Sequence, residues 1–288
     1  MRTLFPLLCL LVLFAGSSRS YAQLEVTLAL ERESFVSLEA IEATVTIKNG
    51  VGKDVVLGGV GGTSWLNFQA HDTSGRQVSP LRPVAVPPMV LRDGETLQRK
   101  FQLDRHFFLS ESGTYIMRAA AYFPELEKHN VSRPVRFNVM QPRPPVWQEV
   151  FAVPGGKGYR RFQIFTFNDT AKSWVYLSVI DEATKMVMSR TALGSVMVEK
   201  EVQPALDNNK HLHLIYLSTP TLFVYQQTDS SGRITDRRYY LTSKGQPKLI
   251  KEPDGSVSIM GGVIYDPLLQ PATPPVRKLS DRPPGLAN

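Results

Sequence analysis

Cysteine is all but missing. Cys9 is the only one in 288 residues, which excludes a disulfide within the chain and, once the first residues are cleaved away, a Cys-ligated metal. A chain that leaves its first residues behind would carry no thiol at all and would depend on hydrophobic cores, which its length allows. Blocks of like charge are missing too. The formal charge is +7 from 33 basic and 26 acidic residues. Its tightest clusters are only Arg160-Arg161 and Arg237-Arg238, with no polybasic run and no nucleic-acid motif. No nucleic-acid partner is expected. After the first fifteen residues no hydrophobic stretch approaches the ~20 residues a membrane-crossing helix needs. Helical periodicity is nearly absent, and no catalytic motif of any specificity stands out.

At the N-terminus, Arg2 precedes an apolar run from Leu4 to Ala15, and Gly16 to Ala22 then turns small and polar. Ser20 and Ala22 stand two apart, as a signal peptidase pocket requires. The run is about a dozen residues, short of a membrane span. Met1–Ala22 is therefore expected to be a cleaved secretory signal that leaves Gln23 first, and the protein is expected to be secreted or periplasmic. Cys9 lies too early to be a lipoprotein cysteine.

Glycine and proline, 20 and 21 in number, punctuate short runs in which apolar and polar residues alternate. That pattern reads as all-β. The segment Leu24–Leu30 puts Leu24, Val26, Leu28 and Leu30 on one face, and Ile41–Ile47 does the same with Ile41, Ala43, Val45 and Ile47. About seven strands are expected between Leu24 and Met140, enough for a two-sheet sandwich. The stretch Gln141-Pro142-Arg143-Pro144-Pro145 reads as a stiff spacer. Strands recur from Trp147 to Tyr265, and a Pro-rich tail follows. The expected organisation is a signal at 1–22, a sandwich at 23–140, a linker at 141–146, a second antiparallel β-meander at 147–266 and a loose tail at 267–288.

Two resemblances follow from these residues. Phe35, Leu38, Ile41, Ala43, Val45, Ile47 and Asn49, followed by Gly113, Tyr115, Arg118 and Ala119, resemble the immunoglobulin-like sandwiches of bacterial exported proteins. They likewise resemble the sandwich modules of macroglobulin-type domains and of the small intracellular proteinase-inhibitor module. In the second half, Pro204-Ala205-Leu206 with the strand after it echoes Pro247-Lys248-Leu249, 43 residues on, and is similar to propeller-blade repeats. About 120 residues hold too few blades to close a ring, so an open meander is expected. These resemblances imply a fold and carry over no activity.

Candidate sites are few. His211 and His213 lie two apart on an expected strand, so their imidazoles share a face and can meet one metal, although no third ligand is apparent. Trp174, Tyr216 and Tyr225, with Tyr159 and Tyr239, are aromatics that can stack on a sugar or fill a core. Gly58-Gly59-Val60-Gly61-Gly62 lacks the Gly-Lys-Ser/Thr ending of a phosphate loop. Gly194-Ser195 lacks a nucleophile elbow. Asp181-Glu182 and Glu199 with Glu201 are the acidic pairs, but sequence cannot place them across a cleft. No cofactor is expected. Two functions are carried forward. One is a non-enzymatic binding or structural protein of the cell envelope or extracellular space, with a protein or polysaccharide partner. The other is a hydrolase acting on a polysaccharide or cell-wall polymer, with its site in the second β region.

Overall fold

The computed structural model describes residues 24–58, 64–169, 172–197, 202–243 and 245–266. The expected signal, most of the glycine-rich loop, Glu199, Glu201 and the Pro-rich tail lie outside these residues. The protein is all-β, with no α-helix among the described residues.

Ten strands form the first half: β1 (Leu24–Leu30), β2 (Ser34–Val36), β3 (Glu42–Asn49), β4 (Val55–Leu57), β5 (Leu66–Asp72), β6 (Met89–Leu91), β7 (Thr96–Gln102), β8 (Gly113–Phe123), β9 (Lys128–Val131) and β10 (Val135–Met140). One sheet runs β1-β3-β7 and the other β2-β10-β8-β5, with β9 paired to β8 as well; a small β4-β6 ladder stands beside them. All pairings are antiparallel except β10 with β2. The alternation seen in sequence is the alternation found. On β1 the side chains of Leu24, Val26 and Leu28 are buried while Glu25, Thr27 and Ala29 are exposed. They meet Trp65, Phe68, Met117, Phe123 and Phe137 in one shared core between the two sheets. Each such side chain contributes roughly 1.5–3 kcal/mol on burial.

Asn49 explains why an asparagine ends the β3 alternation. It is fully buried, and its Nδ2 donates to the carbonyls of Lys53, Leu91 and Arg92 at 2.8, 3.0 and 3.0 Å. Its Oδ1 accepts from the Val51 amide at 3.0 Å. One amide side chain therefore satisfies four backbone groups and ties the β3 turn to the end of β6.

Eleven strands follow: β11 (Trp147–Ala152), β12 (Tyr159–Asn168), β13 (Ser173–Asp181), β14 (Val187–Val196), β15 (Gln203–Leu206), β16 (Leu212–Thr219), β17 (Leu222–Thr228), β18 (Ile234–Leu241), β19 (Lys248–Lys251), β20 (Val257–Met260) and β21 (Val263–Tyr265). They make two meanders, β11-β12-β13-β14 and β15-β16-β17-β18-β21, with the β19-β20 hairpin set between the last two strands. The meanders pack together through Phe162, Ile164, Leu177, Val179, Leu212, Leu214 and Tyr216. The echo between Pro204 and Pro247 corresponds to two hairpins, β15-β16 and β19-β20, whose turns touch. Asn208 Nδ2 donates to the Asp254 carbonyl at 2.8 Å.

Two turns in different halves share one design. In Asp72-Thr73-Ser74-Gly75-Arg76 the Asp72 Oδ1 accepts from the Ser74 and Arg76 amides at 2.9 and 3.0 Å, and Oδ2 receives Arg76 Nε at 2.9 Å. Asp229-Ser230-Ser231-Gly232-Arg233 repeats every one of these bonds. Gly75 and Gly232 have φ of 83° and 85°, the left-handed region where a side chain is strained. At Gly232 an added Cβ would also meet Val179 at 2.6 Å.

Candidate functional site

The two halves meet at a buried polar joint. The turn after β2 places Glu39, 4% exposed, so that its Oε2 accepts from the Val36 amide at 2.9 Å and from the Tyr176 hydroxyl at 3.0 Å. Arg32 forms an ion pair with the same carboxylate and donates to Tyr176 Oη at 2.6 Å. Its guanidinium lies 4.5 Å over the Trp174 ring and 4.9 Å from the Phe35 ring. From the other side Arg190 donates to the Ser37 carbonyl and to Ser178 Oγ at 2.8 Å. Val36, Phe165, Phe167 and Tyr176 pack around these groups.

Burial dominates the electrostatics here. It pushes the Glu39 carboxyl up against the pull of Arg32, and it pushes the Tyr176 phenol up as well. Burial also lowers Arg190. Burial works to lower Arg32, but the charge of Glu39, with Tyr176 and the hydrogen bonds to both, together hold it above its ordinary value. Trp174, a candidate for ligand stacking, thus has a cation of the other half against its ring.

The second cluster holds the histidines. The turn Asp207–His211 joins β15 to β16, and Asp207 Oδ1 accepts the His211 amide at 2.7 Å. Asp207 Oδ2 lies 3.3 Å from His211 Nδ1 and 3.2 Å from His213 Nε2. The other nitrogen of His213, Nδ1, lies 2.8 Å from Tyr225 Oη. So the two imidazoles do converge, but on a carboxylate oxygen, and both ring nitrogens of His213 already have partners. Among the described residues no group of three or more His, Cys, Asp or Glu side chains is arranged to hold a metal. Burial raises the Tyr225 phenol to about 12. Burial works to raise the Asp207 carboxyl, yet the His211 amide and the His213 ring hold it below its ordinary range.

Tyr225 and Tyr216, the other stacking candidates, are 5% and 1% exposed and present no open ring face. Tyr216 Oη donates to the Leu193 carbonyl at 3.0 Å, and that carbonyl also accepts from Gln226 Nε2 at 2.7 Å and Arg237 Nη2 at 2.9 Å. Leu193 is the bulged residue between β13 and β14, where the register slips. Tyr159 is 59% exposed, and Tyr239 lies partly buried beside the meander core. Asp181 and Glu182 are engaged locally: Asp181 Oδ1 accepts from Thr184, and Glu182 is bound to Arg161 at 2.7 Å.

A large concavity lies in the first half, at the flank where the sandwich is open. It measures 1010 Å³ and runs along β1, past Lys48 and Gly50, to β9 and the start of β10. Its backbone is unusual. Asn130 Nδ2 donates to the Leu24 carbonyl at 2.6 Å, so that carbonyl points away from β3. The partner of Leu24, Asn49, gives its own N–H to Glu95. By the alternation of antiparallel ladders, Val26 and Leu28 also turn their N–H and C=O groups to the groove. On the other wall Ser132 donates to Ala119 of β8, so His129 and Val131 face the groove. Among the described residues no strand pairs with either edge. Lys48, Lys128 and Arg133 line the groove against one carboxylate, Glu25, and none of the three cations has an ion-pair partner among the described residues. Sequence reasoning missed this site. The basic residues are scattered over 85 positions, and only the sheet pairing collects them.

No protein family and no curated protein matches the chain. Among solved structures, the crystal structure of Spo0M, a sporulation control protein from Bacillus subtilis, is similar at 9% identity with a TM-score of 0.31, over 84% of this chain and 89% of that one. A likeness of that degree carries no argument. What the geometry defines is an all-β protein with a polar joint between two sheet assemblies and an open basic groove on one of them. No helix among the described residues is long and apolar enough to cross a membrane.

Proposed function

We propose that this is an exported, non-enzymatic binding protein of the cell envelope or extracellular space, and that the groove between β1 and β9 is where it binds. The groove carries the reading. It combines 1010 Å³ of space with two strand edges that, apart from the Asn130 bond to Leu24, pair with no other strand among the described residues, and with three cations that lack an ion-pair partner there. Sites of this kind sit where a rigid scaffold displays edges and loops. The export half of the reading rests on the leader pattern of Met1–Ala22. The alternative, a hydrolase of polysaccharide or cell-wall polymer, draws on the line Asp207–His213–Tyr225. That line places a carboxylate, an imidazole and a hydroxyl in hydrogen-bond sequence, as acid-base sites do. The 5% exposure of Tyr225 and its raised phenol weigh against it.

The test has two measurements. Fractionation with N-terminal sequencing is expected to find the protein outside the cytoplasm, beginning at Gln23. Recovery from the cytosol with residues 1–22 attached would overturn the export reading. Release of reducing ends from purified cell-wall polysaccharide, abolished by Tyr225→Phe, would replace the binding reading with the hydrolase.

A further inference from the structure

The chemistry of the groove narrows what enters it. We infer that the groove takes an extended, acidic peptide segment of another protein, which adds as a strand to the open edge of β1 or β9; this rests on the groove being the binding site.

Three observations converge. First, the open groups are backbone groups. Val26 and Leu28 on one wall, and His129 and Val131 on the other, present an N–H and a C=O at every second residue, a repeat of about 6.6–6.8 Å along a strand. A peptide strand carries the same alternating donors and acceptors at the same repeat, and it pairs by main-chain hydrogen bonds. A polysaccharide has no such repeat. Second, the charge is one-sided, with Lys48, Lys128 and Arg133 against Glu25, and Val131 is 45% exposed among them. Glutamate or aspartate at alternate positions of an incoming strand would meet these cations, and an apolar residue between them would cover Val131. Third, the same cations disfavour a second copy of this chain, since two such edges would bring like charges together. The Asn130–Leu24 bond closes the groove at one end, so the strand runs from there toward Leu28.

The probe is a fluorescent decapeptide alternating glutamate with valine or threonine, titrated into the purified protein and followed by anisotropy and by amide hydrogen exchange. Saturable binding is expected, with slowed exchange at Val26 and Leu28 or at His129 and Val131. Binding should weaken roughly tenfold in Lys128→Glu/Arg133→Glu and fall with added salt. N-methylation of alternate peptide amides should remove it, because it deletes the main-chain donors and leaves the charge. Equal binding of the N-methylated peptide, or displacement of the plain peptide by polygalacturonate at equal charge, would overturn the strand class while leaving the groove a binding site. Self-association of the protein through the groove, lost in Lys128→Glu/Arg133→Glu, would assign it to a second copy. No binding of peptide or polysaccharide in a protein that unfolds cooperatively would overturn both this inference and the groove as the site. If the double variant fails to fold, the single exchange Lys128→Glu, at an exposed position of β9, tests the same charge and should still weaken binding several-fold.

Discussion

Removal of one carboxylate at the joint is expected to destabilise the protein far more than an average substitution. Glu39→Ala leaves Arg32, with its side chain only 8% exposed, without a counter-charge. It also strips acceptors from the Val36 amide and the Tyr176 hydroxyl. Breaking a buried pair by deleting one partner costs about 3–5 kcal/mol, a large share of the ~5–15 kcal/mol a domain has. The pair as a whole is a different matter. Burial opposes charge on Glu39 while Arg32 stays above its ordinary value, so the pair's net contribution is small beside the cost of leaving one partner buried alone. Replacing both, as Arg32→Met with Glu39→Leu, should return stability to within ~1–2 kcal/mol of the parent. The assay is urea unfolding followed by tryptophan emission, since Arg32 lies on the Trp174 ring, with calorimetry to show whether the halves separate into two transitions. A loss below ~1 kcal/mol for Glu39→Ala, or a double variant as unstable as the single one, would refute the reasoning.

Three further outcomes follow from the same structure. Gly194 has φ 151°, and an added Cβ would sit 2.6 Å from Tyr216 Oη, so Gly194→Ala should displace the hydroxyl from Leu193 and lower stability by ~1–3 kcal/mol in chemical denaturation. Asn49→Ala leaves four backbone groups unsatisfied in a buried turn and should cost about 2–4 kcal/mol, whereas Asn49→Asp should be nearly as harmful because it replaces the donor amide with an acceptor. Hydrogen bonds from Ser74 and Arg76 hold the Asp72 carboxyl at about 2, below its ordinary 3.8. A depressed carboxyl contributes stability that is present above pH 3.8 and lost as pH falls toward 2, so Asp72→Asn should flatten the acid limb of a melting-temperature profile in that window and leave neutral pH less affected.

How far the sequence led depends on where the information resides. β1, β3 and β8 were legible because each buries alternate apolar residues against one core, and the two-residue period is local, whereas β16 was legible as a short apolar run that is buried on both faces. β14 and β18 were not legible. Val187–Val196 contains a bulge at Leu193 and an interior glycine, and Ile234–Leu241 is polar with largely exposed side chains, so neither shows the pattern. The turn at Asp72 was legible, and its twin at Asp229 uses the same residues at the same spacing, a signal that comparing the two segments would have shown. The joint was out of reach: Glu39 and Tyr176 are 137 residues apart, and nothing local in either announces the other. The histidine pair illustrates the middle case. Spacing puts His211 and His213 on one face, but only the fold brings Asp207 and Tyr225 to their ring nitrogens.

If the open flank of the first half receives a strand from another protein, that strand passes beside Val131. A photo-cross-linking residue placed at Val131, with the same residue at Val150 on the exposed face of β11 as control, tests it in the cells that make the protein. One discrete adduct is expected from Val131, with an acidic cross-linked peptide, and none from Val150. Equal adducts from both positions, or a neutral or basic cross-linked peptide from Val131, would contradict it.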